Sequence, residues 1–319
     1  MVTASAAKKA LRSEEKSALN KLALLPRGWD AAFNAVLWCV ALLVVLPVVL
    51  IVMISFSSEA SIAKVGYSLL PAEFSLKAYD YIFKIGRQLG ISYVMTFFYT
   101  VGGTALSLAV STMFAYVICQ KNFKARKGLT WYMFITMLFS GGLVPSYILQ
   151  VNYLGMGDTV WVFLLSGTVS AYNIIILRTF MRTTIPESIF ESARIEGAGH
   201  FRIFLQMVLP LSMAGIATIA LFNVVARWND WFTGMLYVTN NPNLVPLQTM
   251  LIRLQNQLDF LRSNAQAAAT PDGMEMLRNL PNQSLRMSCT IAVILPILLA
   301  YPFFQRYFIS GLTMGSIKE

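Results

Sequence analysis

Val40-Ala41-Leu42-Leu43-Val44-Val45-Leu46-Pro47-Val48-Val49-Leu50-Ile51-Val52-Met53-Ile54 is apolar at every position and does not alternate. A strand of a membrane barrel alternates polar and apolar residues over about 10 positions, so this run reads as a helix in hydrocarbon. It lies within Ala31 to Ser58, which holds no Asp, Glu, Lys or Arg. The same absence marks Gln88 to Gln120, Gly128 to Gly157, Thr159 to Leu177, Ile203 to Ala226 and Met287 to Gln305. About 20 helical residues at about 1.5 Å each cross about 30 Å of hydrocarbon. Every stretch reaches that length or falls within the tolerance of tilt and snorkelling. The expected fold class is therefore all-α, a polytopic membrane protein with six transmembrane helices. A composition of 56% hydrophobic and 13% charged residues agrees. The first stretch follows residues 1–30 and far exceeds a signal-peptide core of about 7 to 15 residues, so it reads as a retained span.

Lys and Arg are distributed unevenly. With the N-terminus inside, the inner segments hold Lys8, Lys9, Arg12, Lys16, Lys21, Arg27, Lys121, Lys124, Arg126, Lys127, Arg178, Arg182, Arg194, Arg202, Arg306 and Lys318, the larger share of the 25 basic residues. That bias predicts both termini in the cytoplasm. It also accounts for the net charge of +10, so a basic chain here does not imply nucleic acid.

Little in the chain suggests chemistry. Cys39, Cys119 and Cys289 lie in apolar stretches with neither disulfide nor metal-ligand spacing, and His200 is the one histidine. No catalytic residue and no metal site is expected. No Gly-Lys dipeptide occurs, which excludes a G-x-x-x-x-G-K-[ST] phosphate loop; any ATP must be bound by another subunit. A secondary transporter would show intramembrane carboxylates and repeated halves, and neither is evident.

The organisation expected is a basic N-terminal arm over 1–30, a six-helix transmembrane domain over 31–310 and a cytoplasmic tail over 311–319. Glu59 to Arg87 reads as a small outer cap and Asn152 to Asp158 as a tight outer hairpin. The transmembrane domain carries an inner loop over 183–205 and an outer loop over 230–286. In the inner loop, Thr184 and Glu187 with Pro186 between them form a capping-box pattern that starts a short helix. Glu187, Glu191 and Arg194 share one face of it, and Ile185, Ile189 and Ala193 another. Gly197 stands where a left-handed C-cap is needed, Gly199 allows a second bend, and Pro210 kinks or resets the following helix. On these features alone the loop is equally an ordinary interfacial helix.

The spacing is more specific. Glu191, Ala193, Gly197, Leu209 and Pro210 match E-A-A-x-x-x-G-x(9)-I-x-L-P, the loop signature of permease subunits of bacterial ABC importers, with Ser192 and Met207 departing from it. Ser140-Gly141-Gly142-Leu143-Val144-Pro145, Leu177-Arg178-Thr179-Phe180, Trp228-Asn229-Asp230-Trp231 and Gly311-Leu312-Thr313-Met314-Gly315 resemble carbohydrate-uptake permeases. Within them the chain is most similar to second permeases of oligosaccharide and polysaccharide-fragment importers, the type related to the smaller maltose-transporter permease. Residues 1–30 lie outside the resemblance.

The resemblance implies a saccharide importer in the bacterial plasma membrane. Its partners would be a second, homologous permease, two copies of a cytoplasmic ATPase that holds ATP and magnesium, and an extracytoplasmic solute-binding protein. Glu191, Ser192, Ala193, Arg194, Gly197, Ala198, Gly199, Leu209 and Pro210 would form the ATPase-coupling elbow, with Glu191 pairing to a basic ATPase residue and Ala193 permitting close approach. The tail, through Gly311, Thr313 and Gly315, would also touch the ATPase, or else be a frayed end. The same elbow serves permeases for other solutes.

The span interiors hold no formal charge, which suits a sugar better than a metal ion or a charged peptide. Tyr172, Asn173, Asn223, Trp228 and Asn229 are candidates for the substrate path. Asn173 and Asn223 fit interhelical hydrogen bonds equally well, and Trp228 and Trp231 an interfacial aromatic belt. In the outer loop, Leu247, Leu251, Leu254, Leu258 and Leu261 recur at helical spacing, and Pro271-Asp272-Gly273 reads as a turn. This helix either meets the solute-binding protein or packs as a lid on the chain's own spans.

Overall fold

The computed structural model describes residues 27–264 and 283–315. They are helical apart from turns, loops and one isolated antiparallel bridge, Ser57 to Phe74. Helix α1, Arg27–Ser55, contains the all-apolar run and is exposed along most of its length, Leu43 to 73%. A water-facing helix would not survive such exposure, whereas lipid accommodates it. The short helices α2, Glu59–Val65, and α3, Lys77–Lys84, build the expected cap, with Phe56 stacked on Phe74 and Tyr79.

Helix α4, Gly86–Cys119, is the central pillar. Its buried side carries Ser92, Thr96, Thr100, Gly103, Thr104, Ser107 and Ser111, a seam of small residues at helical spacing. Small side chains let neighbouring helices approach closely where lipid supplies no hydrophobic drive. Sequence reading overlooked this seam because hydropathy treats Ser and Thr as merely neutral.

The third apolar stretch is α5, Arg126–Leu138, then α6, Leu143–Ile148, running into a π-helical turn, Leu149–Tyr153. The pair bends by 114°. Gly142, at φ +87°, makes the corner, a conformation costly for any other residue. The expected fourth span is not one helix. It divides into α7, Trp161–Leu165, and α8, Ala171–Thr184, separated at Gly167, and Ser170 caps α8 through the Asn173 N–H. After α9, Glu187–Ile195, the chain runs through α10, His200–Ile203, a π turn over Phe204–Val208 and α11, Leu209–Leu211. Helix α12, Met213–Trp228, then departs at 78°. The proline nitrogen of Pro210 cannot complete the i to i−4 ladder, consistent with the reset immediately upstream. Among the described residues three helices are thus long and apolar enough to span singly, and two bent pairs have the form of a broken span or a re-entrant loop.

The rest of the fold is α13, Phe232–Tyr237, a 3-10 turn over Pro242–Leu244, α14, Leu247–Ser263, and α15, Gln283–Gly315. Helix α14 is seated by the Leu247 N–H on Thr96 Oγ1 at 2.8 Å and by Thr249 Oγ1 on the Trp231 carbonyl at 2.8 Å. Leu247 and Leu251 are buried with Trp228 and Leu285, so the first half of the outer-loop helix packs on the chain's own spans. Pro271-Asp272-Gly273 and the arm up to residue 26 fall outside the described residues.

Candidate functional site

The elbow begins where α8 ends. Pro186 forces extended backbone on Ile185, so Thr184 closes α8 instead of capping the next helix; Pro186 itself occupies the N-cap of α9 without a side-chain cap. At the far end the backbone closes as a Schellman motif. Gly197 adopts φ +78°, the Ala198 N–H bonds the Ala193 carbonyl at 2.9 Å, and the Gly197 N–H bonds the Arg194 carbonyl at 3.0 Å. Gly199 is extended at φ −70° and ψ 160°, a conformation open to any residue, so only Gly197 carries a glycine requirement here.

Phe190 and Ala193 face inward, Ala193 at 2% exposure, against Tyr116, Met181, Ile203 and Phe204. Ala193 therefore packs within its own chain and does not offer its face to a partner. Glu191, Ser192 and Ile195 face outward, and Ile195 is 88% exposed. Polar ties hold the elbow to the end of α4. Arg194 and Glu187 of α9 bind Gln120 Oε1 and Lys121, and His200 Nδ1 at the start of α10 meets Tyr116 Oη at 3.0 Å. Arg194, expected beside Glu191 on the partner face, is thus turned to the body of its own chain. Ala198 and Leu209 are half-buried and Pro210 is exposed.

The substrate-path candidates do not converge. Tyr172 and Asn229 are exposed, Asn229 Oδ1 accepting from Gln248 Nε2 at 3.1 Å. Asn173 is buried on α8. Asn223 is buried, with its Oδ1 3.4 Å from Ser107 Oγ and its amide donating to the Ile219 carbonyl. That contact is the interhelical hydrogen bond sequence left open as the alternative. Trp228 lies in the interior, its indole N–H donating to the Val293 carbonyl at 3.0 Å, and lines neither an aromatic belt nor an open path.

Gly311, Thr313 and Gly315 belong to α15, which continues to Gly315 rather than releasing a tail at residue 311.

A charge enters the bundle. Arg227, which the sequence reading left among the cations outside the inner segments, turns its guanidinium onto Gly103 at the middle of α4 and donates from Nη1 to the Phe163 carbonyl at 2.7 Å. The interior is therefore not free of charge.

On the side of the molecule away from the elbow, Asp158 organises the tight hairpin. At φ +50° its carboxylate accepts from the N–H groups of Thr239, Asn240 and Asn241, from Thr239 Oγ1 and from Asn240 Nδ2. These donors lower its pKa from 3.8 to about 2. A depressed carboxyl contributes stability above its unfolded value and loses it as pH falls through its folded one. The Val238 to Asn241 segment should therefore keep constant protease resistance from pH 8 to 5 and lose it between about pH 4 and 2. An Asp158→Ala protein should be nicked there already at neutral pH; resistance equal to the parent would refute the role.

No protein-family model matches the chain. The polygalacturonan/rhamnogalacturonan transport system permease protein YtcP of Bacillus subtilis (strain 168) is 35% identical over 292 residues, covering 92% of this chain and 99% of the relative. Protein LplC of the same organism is 34% identical over 297 residues, covering 92% and 95%. A chain from the crystal structure of a bacterial ABC transporter that imports the acidic polysaccharide alginate superposes with a TM-score of 0.75 at 28% identity, covering 89% of this chain and 99% of that one. Near-complete coverage at this identity, with a helical membrane fold in common, establishes descent: the chain belongs to the permease-subunit family of sugar and oligosaccharide ABC transport systems.

Proposed function

We propose that the protein imports oligosaccharides cleaved from polysaccharides, working as one wall of a two-permease path. The observation that carries the coupled-importer part of this reading is the elbow, a helix fixed on its inner face by Phe190, Ala193 and Arg194 and presenting Glu191, Ser192 and Ile195 outward. A cytoplasmic ATPase dimer seated on that outward face would move α9 and α4 together, because their ties make the elbow part of the pillar. ATP and its magnesium are held by that partner. The elbow side is the cytoplasm, and a solute-binding protein delivers the sugar at the opposite side of a bacterial plasma membrane.

The Bacillus relative's polymers and the neighbour's alginate support a polysaccharide-derived substrate. A permease for a non-sugar solute is the second reading. ATP hydrolysis and uptake by the purified complex decide between them. Stimulation by galacturonide oligomers with their binding protein is expected, and stimulation by a non-sugar solute alone would overturn the proposal. Deleting 265–279 should abolish binding-protein stimulation while leaving basal hydrolysis. Unchanged stimulation would make the outer loop a lid only.

A further inference from the structure

Arg227 is an ionised group inside the bundle for which the elbow has no use. Gly103 stands at mid-length of α4, and Nη1, Cζ and Nε of Arg227 are the atoms nearest to where a side chain would begin there. The guanidinium is thereby held at mid-span, half-buried between α4, α7 and its own helix α12. Among the described residues it makes a single hydrogen bond, from Nη1 to the Phe163 carbonyl, a neutral acceptor. Nη2 and Nε donate to no described residue, and neither is closed off, in contrast to the enclosed Nε of Arg178. No described carboxylate pairs with the guanidinium. Asp230, three positions on, accepts from the Thr233 N–H at 3.0 Å and forms no ion pair with it.

A guanidinium at this depth is strongly disfavoured against lipid, so its open side faces the bundle interior or water, and intramembrane charges so placed mark solute pathways. A glutamine amide would serve the Phe163 carbonyl as well. What arginine adds is a permanent charge and further donors in one plane, the complement of a carboxylate. We propose that Arg227 receives a uronate carboxylate of the transported oligosaccharide, so that the path along this chain is built for acidic rather than neutral sugars. This rests on the saccharide-import reading above and narrows it. The tie to Phe163 orients the remaining donors before the sugar arrives, and with no resident carboxylate to compete, the site binds without trapping; a path must also release what it holds. Half-buried among its own helices, Arg227 is reached by a carboxylate on a flexible sugar chain more readily than by a side chain on a helix of the second permease.

The test uses the purified complex in nanodiscs with trigalacturonate, and with its carboxyl-reduced neutral form as the control. Phenylglyoxal modifies accessible guanidinium groups, and the modified positions are mapped by mass spectrometry. Arg227 should react, and trigalacturonate but not the neutral form should slow the reaction by about tenfold. An unreactive Arg227 would mean that the protein, or a carboxylate of the second permease, seals it, and overturns the proposal. Equal protection by the two sugars, or none by either, overturns it too. In vesicles supplied with the solute-binding protein, Arg227→Gln should lower the ratio of acidic to neutral uptake by about tenfold relative to the parent. The binding protein's own preference cancels in that comparison. An unchanged ratio would make Arg227 a strut for Phe163 alone, overturning the proposal while leaving saccharide import standing. Should the glutamine variant not accumulate, the labelling of the parent decides by itself. Selective protection of Arg227 in a complex that imports no saccharide would sustain the site and refute only the transport reading.

Discussion

A Gly197→Val protein is expected to reach the membrane in normal amounts and to lose at least about tenfold of its ATP-driven uptake, measured in vesicles of the reconstituted complex. The left-handed backbone at φ +78° costs an ordinary L-residue about 1–2 kcal/mol, and a β-branched one more. Nothing lies within 4 Å of a side chain added there, so the penalty is purely conformational. Relaxing it would break the paired bonds from Ala198 and Gly197 to Ala193 and Arg194 and swing α10 relative to α9. Gly197→Asn, which tolerates positive φ, should lose far less. Glu191→Ala should cost about 1 kcal/mol or less of partner binding, since an exposed ion pair contributes little. Wild-type uptake by the valine variant, or equal losses for valine and asparagine, would show that the elbow angle does not transmit motion.

The second large effect concerns the pillar. A Cβ at Gly103 would stand 2.3 Å from Nη1 of Arg227, inside any allowed contact. Gly103→Ala must push the guanidinium off the Phe163 carbonyl, forfeiting a charge-assisted hydrogen bond at a cost of about 1.5–3 kcal/mol. Gly103→Leu adds overpacking of about 1–3 kcal/mol and should prevent accumulation altogether. The cause is separable by a double-mutant cycle, read as thermal unfolding in detergent. In an Arg227→Ala background the Gly103→Ala change should be nearly neutral, because the methyl fills space the guanidinium has left. Equal costs in both backgrounds would mean that Gly103 serves helix packing without reference to Arg227.

The two positions differ in how far they could be read from sequence. Gly197 was readable because a helix followed by glycine is a local signal: the stop and the positive φ depend on a few consecutive residues. Gly103 was not, because its partner stands more than a hundred positions away and Arg227 looked like one more cation outside the inner segments. The same distinction explains Ala193 and Trp228. The loop signature located Ala193 on a short helix, but which side of that helix meets the body is decided by Tyr116, Met181 and Phe204 from other elements. Trp228 next to Asn229 read as a wet or interfacial pair. Packing against Leu247 and Leu285 with the indole on the Val293 carbonyl takes it into the interior.

From its sequence alone, the chain is a helical membrane protein with one glycine-jointed elbow between apolar stretches. Both properties follow from short-range physics: hydrocarbon admits only apolar, internally hydrogen-bonded segments, and left-handed backbone selects glycine. Where the stretches break, how sharply they bend at Gly142 and Ser212, which charge turns inward and which elbow residues stay exposed were decided by tertiary structure. Each of those outcomes is set by which distant surface comes to lie against a residue, and hydropathy, a sum over neighbours in the chain, holds no record of it.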